Sequence, residues 1–120
     1  MNIVIIEDER LLADDLEKNL RKLLGLSVEI TQIHSVSDGI AYFKSALLPE
    51  LILSDIQLGD GQCFEIFDVL TRPVPIIFCT AYDPEAFKAD GIDYILKPFT
   101  LQTLQKALDK YNLVDRLTTQ

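Results

Sequence analysis

Four short stretches carry side chains whose types could do chemistry together: Glu7-Asp8-Glu9, Asp55, Thr80-Ala81 and Lys97-Pro98. Carboxylates gathered in one crevice repel each other, and one of them then holds its proton more tightly. A hard dication such as Mg²⁺ relieves that repulsion, because it takes octahedral oxygen ligands and keeps some waters. Asp8, Asp55 and a backbone carbonyl from the following loop would fill three positions, with Glu7 close by. An aspartate so placed is a candidate nucleophile, forming an acyl phosphate during phosphoryl transfer. Such transfer depends on positioning and on neutralising charge spread over the phosphoryl oxygens. Lys97 offers a mobile ammonium, while the Thr80 hydroxyl and the Ala81 amide offer hydrogen-bond donors.

These residues meet only if the chain brings them to one place, and two alternating periodicities predict that it does. Near-continuous apolar runs at Ile3 to Ile6, Leu51 to Leu53 and Pro75 to Thr80 read as strands covered on both faces. Val28 to His34 alternates with polar residues, as an edge strand does, and Ile92 to Leu96 gives a fifth. Between them, Leu12, Leu16, Leu20, Leu23 and Leu24 repeat at helical spacing, stopped by Gly25. A second helix starts near a capping box at Ser35-Val36-Ser37-Asp38 and carries Ile40, Tyr42, Phe43 and Leu47. A third spans Cys63 to Leu70, and a fourth starts at Asp83-Pro84-Glu85. The fifth, capped by Thr100, aligns Leu101, Leu104, Leu108 and Tyr111. Strict (βα)₅ alternation with right-handed crossovers predicts a doubly wound α/β fold. Ligands of such sheets bind beyond the carboxyl ends of the strands, where all four stretches lie.

The composition agrees. The 120 residues fit one domain, and 48% hydrophobic with 25% charged residues suits a globular chain. No apolar run approaches a membrane span, and no basic stretch precedes Ile3 as in a signal peptide. Eleven basic residues against nineteen acidic ones leave a net charge of −8, which offers nucleic acid no basic footprint. Cys63 and Cys79 lack metal-ligand spacing and read as free thiols of a reducing compartment, the cytoplasm. No internal repeat or domain boundary interrupts residues 1–117, and 118–120 read as a tail or the start of a linker.

With E-D-E at Glu7 to Glu9, S-D-I-Q-L around Asp55, T-A at Thr80-Ala81 and K-P-F at Lys97 to Phe99, the chain resembles a receiver domain of a two-component response regulator. The resemblance implies a flavodoxin-like parallel five-stranded sheet of strand order 2-1-3-4-5. It implies Asp55 as phosphoacceptor, with Mg²⁺ bound by Asp8, Asp55 and the Gln57 main-chain carbonyl and by Glu7 through water. Thr80, the Ala81 amide and Lys97 would hold the phosphoryl group, Tyr94 would be the switch aromatic, and the Lys97–Pro98 peptide would be cis. The implied partners are a sensor histidine kinase or phosphotransfer protein, an output domain, and a second copy in a homodimer. The readout surface would be the fourth helix, fifth strand and fifth helix. D-I-Q-L followed by D-G, and T-A-Y-D before G-I-D-Y-I-L-K-P-F, also resemble receivers joined to LytTR-type DNA-binding domains. Thr80 to Tyr94 is shorter than is usual there by one helical turn, ~3.6 residues, and Gly59 stands where many receivers have proline.

Plainer readings stand beside these. The acidic triplet also suits a solvated turn capping the first helix. Tyr94 also suits edge-strand packing, His34 reads as an ordinary strand-end histidine, and Cys79 as a core residue. Cys63, near a helix start, has the placement that can lower a thiol pKa, but no partner group. A phosphatase with an aspartate nucleophile would resemble D-x-D; Gln57 stands at its second position and cannot serve as general acid. A scaffold that has lost phosphorylation would not need the full residue set, and a flavin site would need a phosphate loop after the first strand. A switch, not a turnover enzyme, is the expectation.

Overall fold

The computed structural model describes residues 1–45, 47–81 and 93–110. Five parallel strands form its central sheet: β1 (Asn2–Ile6), β2 (Glu29–Ile33), β3 (Leu51–Ser54), β6 (Ile76–Thr80) and β7 (Asp93–Leu96). They lie in the order β2-β1-β3-β6-β7, which is 2-1-3-4-5 when only this sheet is counted. The apolar runs explain the arrangement. Ile3 to Ile6 and Leu51 to Leu53 are fully or almost fully buried, as a central strand covered on both faces requires. β2, whose pattern alternates, is the edge.

Successive strand residues face opposite sides, so one sheet builds two cores. Ile3, Ile5, Leu51, Leu53, Ile77 and Ile95 pack with α1 (Arg10–Leu24) and α4 (Leu101–Asp109). Val4, Ile6, Ile33 and Ile52 pack on the other face with α2 (Val36–Ser45) and α3 (Phe64–Phe67). On α1 the buried residues are Ala13, Leu16, Leu20 and Leu24, one stripe at helical spacing. Each buried leucine there contributes about 1.5–3 kcal/mol. Gly25 ends the helix at φ 95°, a region that favours glycine, and its N–H donates to the Arg21 carbonyl at 2.9 Å. α4 opens with a reciprocal capping box. The Thr100 hydroxyl accepts from the Thr103 N–H at 3.1 Å, and the Thr100 N–H donates to Thr103 Oγ1 at 3.0 Å. No described helix is long and apolar enough to cross a membrane.

The structure departs from expectation in four places. α3 is regular only over Phe64–Phe67 rather than to Leu70. Val69 and Leu70 instead donate three residues back, to Ile66 and Phe67, a tightened final turn before Pro73. Leu47 lies outside α2 and is 88% exposed, since Pro49 disfavours a helical Leu48. Leu101, at the first position of α4, sits at the rim and is 39% exposed. The loop after Asp55 folds into a small antiparallel hairpin, β4 (Gln57–Leu58) and β5 (Gly61–Gln62). The expected fourth helix from Asp83, Ile92, Tyr111 and the 118–120 tail lie outside the described residues.

Candidate functional site

Register brings the acidic side chains together. Ile6 of β1 stands opposite both Ile33 of β2 and Ser54 of β3. The ladder runs one residue further on each side: Glu7 N–H donates to the Ile33 carbonyl, and Asp55 N–H to the Ile6 carbonyl, both at 2.9 Å. Glu7 and Asp55 therefore leave the sheet side by side. Asp8 follows on an exposed bend, and the carboxylate oxygens of Glu7, Asp8 and Asp55 lie within 4.8 Å of one another.

Lys97 enters from the far side. Its N–H donates to the Thr80 carbonyl at 2.8 Å, extending the β6–β7 ladder, and the Lys97–Pro98 peptide is cis. The Lys97 ammonium lies 2.5 Å from Glu7 Oε1 and 3.0 Å from Asp55 Oδ2. Asp55 Oδ1 accepts from the Ile56 N–H at 2.7 Å, so this carboxylate is held at both oxygens.

Burial pushes the Glu7 carboxyl above its ordinary 4.5, and the Lys97 hydrogen bond only partly offsets that; repulsion from Asp55 is a smaller contribution. Desolvation dominates here, rather than the mutual repulsion expected from the sequence. Burial alone would lower Lys97, but its hydrogen bonds to Glu7 and Asp55 outweigh it and raise the ammonium above 10.5. The ammonium stays charged.

The remaining predicted residues divide into two groups. Thr80 is fully buried at the end of β6, and Ala81 follows it, exposed. Tyr94, half-buried, packs against the cluster formed by Ile56, Cys63 and Phe78 and stands opposite Phe78 in the β6–β7 register. Ile56, a member of that cluster, directly follows Asp55. The exposed Gln57 amide donates, at long range, to the Leu58 and Gly61 carbonyls, 3.4 and 3.5 Å away.

Several plainer readings are now decided. The α1 N-cap is Glu9, whose side chain makes no capping bond, and no acidic residue lies in the first turn. Glu7 Oε2 instead accepts from the Glu9 N–H at 3.2 Å. His34 Nδ1 lies 2.9 Å from the Glu7 carbonyl, so that nitrogen carries the proton and donates. Burial pushes the Cys63 and Cys79 thiols up to about 12, so proximity to a helix start does not activate Cys63.

Near the site, the role of Asp60, from the D-G pair after D-I-Q-L, was not expected. Asp60, in the turn between β4 and β5, accepts from the Val36 N–H at 2.8 Å and the Ser37 N–H at 3.1 Å. Ser35 Oγ accepts from Asp38 N–H at 3.0 Å, so the first turn of α2 is capped twice over. In the sequence, Asp60-Gly61 marks part of the receiver resemblance and a turn, but not these bonds.

The donor set suits a hard dication: three carboxylates converge, and a cationic ammonium already bridges two of them. Comparisons with known proteins agree in kind. Residues 3–109 match the family described as the response regulator receiver domain. The chain is 33% identical over 117 residues to the sensory transduction protein LytT of Bacillus cereus, covering 92% of this chain and 47% of that protein. It is 30% identical to the sensory transduction protein LytR of Staphylococcus haemolyticus, covering 100% and 51%. The chain thus spans about half the length of these curated relatives. Among solved structures, a two component transcriptional regulator AraC from Clostridium phytofermentans superposes with a TM-score of 0.76 at 24% identity, covering 100% of this chain and 99% of that one. A receiver domain protein from Clostridium thermocellum gives 0.72 at 20% identity, covering 96% and 94%. At these identities the structural likeness speaks for the fold.

Proposed function

Since the chain belongs to the receiver domain family of two-component response regulators, whose members are phosphorylation-dependent signalling modules, we propose that Asp55 is its phosphoacceptor. The observation that carries this reading is the Asp55 carboxylate, oriented by the Ile56 amide and met by the Lys97 ammonium within a converging acidic cluster. Asp8 and Asp55, the Gln57 carbonyl, and Glu7 through water would hold Mg²⁺. When bound, that ion supplies charge neutralisation for the phosphoryl oxygens. Asp55 Oδ2 attacks phosphorus; the bond from phosphorus to the donor's imidazole nitrogen breaks, and its electron pair leaves with the imidazole. Lys97 then turns from the two carboxylates to the phosphoryl oxygens, with the Thr80 hydroxyl and Ala81 amide as further donors.

Readout runs through Tyr94, whose packing against the Ile56, Cys63 and Phe78 cluster changes when Lys97 and Thr80 are drawn to the new charge. The surface it alters includes β7 and α4. A groove of about 350 Å³ there is lined by Tyr94, Leu96, Pro98, Thr103, Lys106 and Lys110. We read residues 1–117 as the receiver unit of a cytoplasmic regulator, phosphorylated by a sensor histidine kinase or phosphotransfer protein. It controls a LytTR-type, DNA-binding output domain, with homodimerisation as one mode of control. It is not a turnover enzyme, since Gln57 supplies no general acid. Incubation with acetyl phosphate and Mg²⁺ should add one phosphoryl group by mass, and Asp55→Asn should abolish the gain. A gain that survives in Asp55→Asn would refute the assignment.

A further inference from the structure

We propose that Asp60 is a positioning residue for the cation and phosphoryl site: it ties the hairpin after Asp55 to the first turn of α2 and so fixes where that hairpin's backbone meets Asp8 and Asp55. The inference rests on the reading of Asp55 given above. Four observations carry it.

The amides that Asp60 engages belong to the first turn of a helix, where N–H groups lack intrahelical partners. Its two oxygens take one each, Val36 at 2.8 Å and Ser37 at 3.1 Å. The hairpin itself is slight. Its two rungs, Gln57 with Gln62 and Leu58 with Gly61, are supplemented by Cys63 N–H to the Ile56 carbonyl at 2.9 Å, the long Gln57 amide bonds, and Gln62 N–H to Glu65 Oε2 at 3.2 Å. A ribbon this short does not hold its own shape in water and depends on outside contacts, which here are Leu58, buried in the core with Val36 and Ile66, and Asp60. Its turn passes beside the site, since a Cβ built on Gly59 would lie 3.7 Å from Asp8 Oδ2. The anchor, by contrast, is fixed. A Cβ on Gly39 of α2 would fall 2.5 Å from Ile66 Cδ1, so that helix sits against α3 at glycine distance. From α2 through Asp60 to Gly59 and Gln57, each link is a packed contact, a hydrogen bond or the covalent chain.

A plain helix cap would stabilise α2 without touching cation binding, and that separates the two roles. The full chain is titrated with MgCl₂ by NMR, and acetyl phosphate labelling is followed by mass, well below the unfolding temperature of each variant. Asp60→Ala should raise the Mg²⁺ Kd about tenfold, as loss of a supporting hydrogen-bond partner does. Asp60→Asn keeps one of the two acceptor oxygens and turns a donor toward the other amide, so its Mg²⁺ affinity should fall between wild type and Asp60→Ala. Asp60→Glu keeps the charge but displaces the acceptor by a methylene, and should be weakened. Wild-type affinity in Asp60→Ala would overturn the proposal, as would Asp60→Asn binding as weakly as Asp60→Ala. Should Asp60→Ala fail to fold, the Asn and Glu pair decides: a Glu variant as tight as wild type overturns it. Failure of the underlying reading shows separately, as a wild-type chain that takes neither Mg²⁺ nor a phosphoryl group, and it removes both claims.

Discussion

Along β1 and β3 the stretches Ile3 to Ile6 and Leu51 to Leu53 are sealed from solvent, whereas β7 leaves Leu96 47% exposed and Tyr94 half-buried. The first pair lies between other strands and under helices on both faces. β7 pairs with β6 alone in the described sheet and leans on α4. The difference suits the two tasks proposed above. Phosphoryl transfer needs a nucleophile held in fixed geometry, and Glu7 and Asp55 extend the buried strands β1 and β3. Readout needs side chains that can repack at small cost, and those lie on the looser strand. Lys97 joins the two regions: its backbone continues β7, and its ammonium sits on the acids of β1 and β3.

The contrast makes its largest demand in the centre. Leu53→Ala should lower stability by about 2–5 kcal/mol, the range for a fully buried leucine, read from urea unfolding. A loss well below that range would mean the central strands are no more tightly packed than β7. The same truncation at Leu96 should change stability by no more than ~0.5 kcal/mol, while labelling of Asp55 by acetyl phosphate keeps its wild-type rate. A slowed rate would place Leu96 in the chemistry rather than the readout.

The smallest effect concerns the hairpin between the two regions. Hydrogen bonds from the Val36 and Ser37 amides hold the exposed Asp60 carboxyl below its ordinary 3.8. A carboxyl depressed by folding stabilises above its unfolded value, and that stability is lost as pH falls through the folded one. Asp60→Asn should therefore show a shallower loss of stability than wild type below pH 3.8 in acid titrations of the unfolding midpoint. Identical acid slopes would argue that the two amide bonds do not persist in solution.

The sheet and the strand-end placement of the site were legible because they rest on patterns local to each segment: apolar runs, the leucine stripe ending at Gly25, the cap at Thr100. Element ends were less so, since Pro49 and Pro73 cut α2 and α3 short of the apolar spacing. The role of Asp60 was not legible, although its D-G pair carried part of the resemblance. Its partners lie 24 and 23 residues earlier, and an aspartate beside glycine looks the same whether or not an amide pair awaits it.

The sequence by itself determined that Glu7, Asp8, Asp55, Thr80 and Lys97 stand at strand ends, because strand periodicity and the parallel crossover rule act along the chain. Only the tertiary structure decided which groups touch. Lys97 bridges Glu7 as well as Asp55, Tyr94 packs against a cluster that includes Ile56, and burial rather than like charge raises Glu7. Distances and desolvation arise from segments far apart in the chain, and no local pattern encodes them.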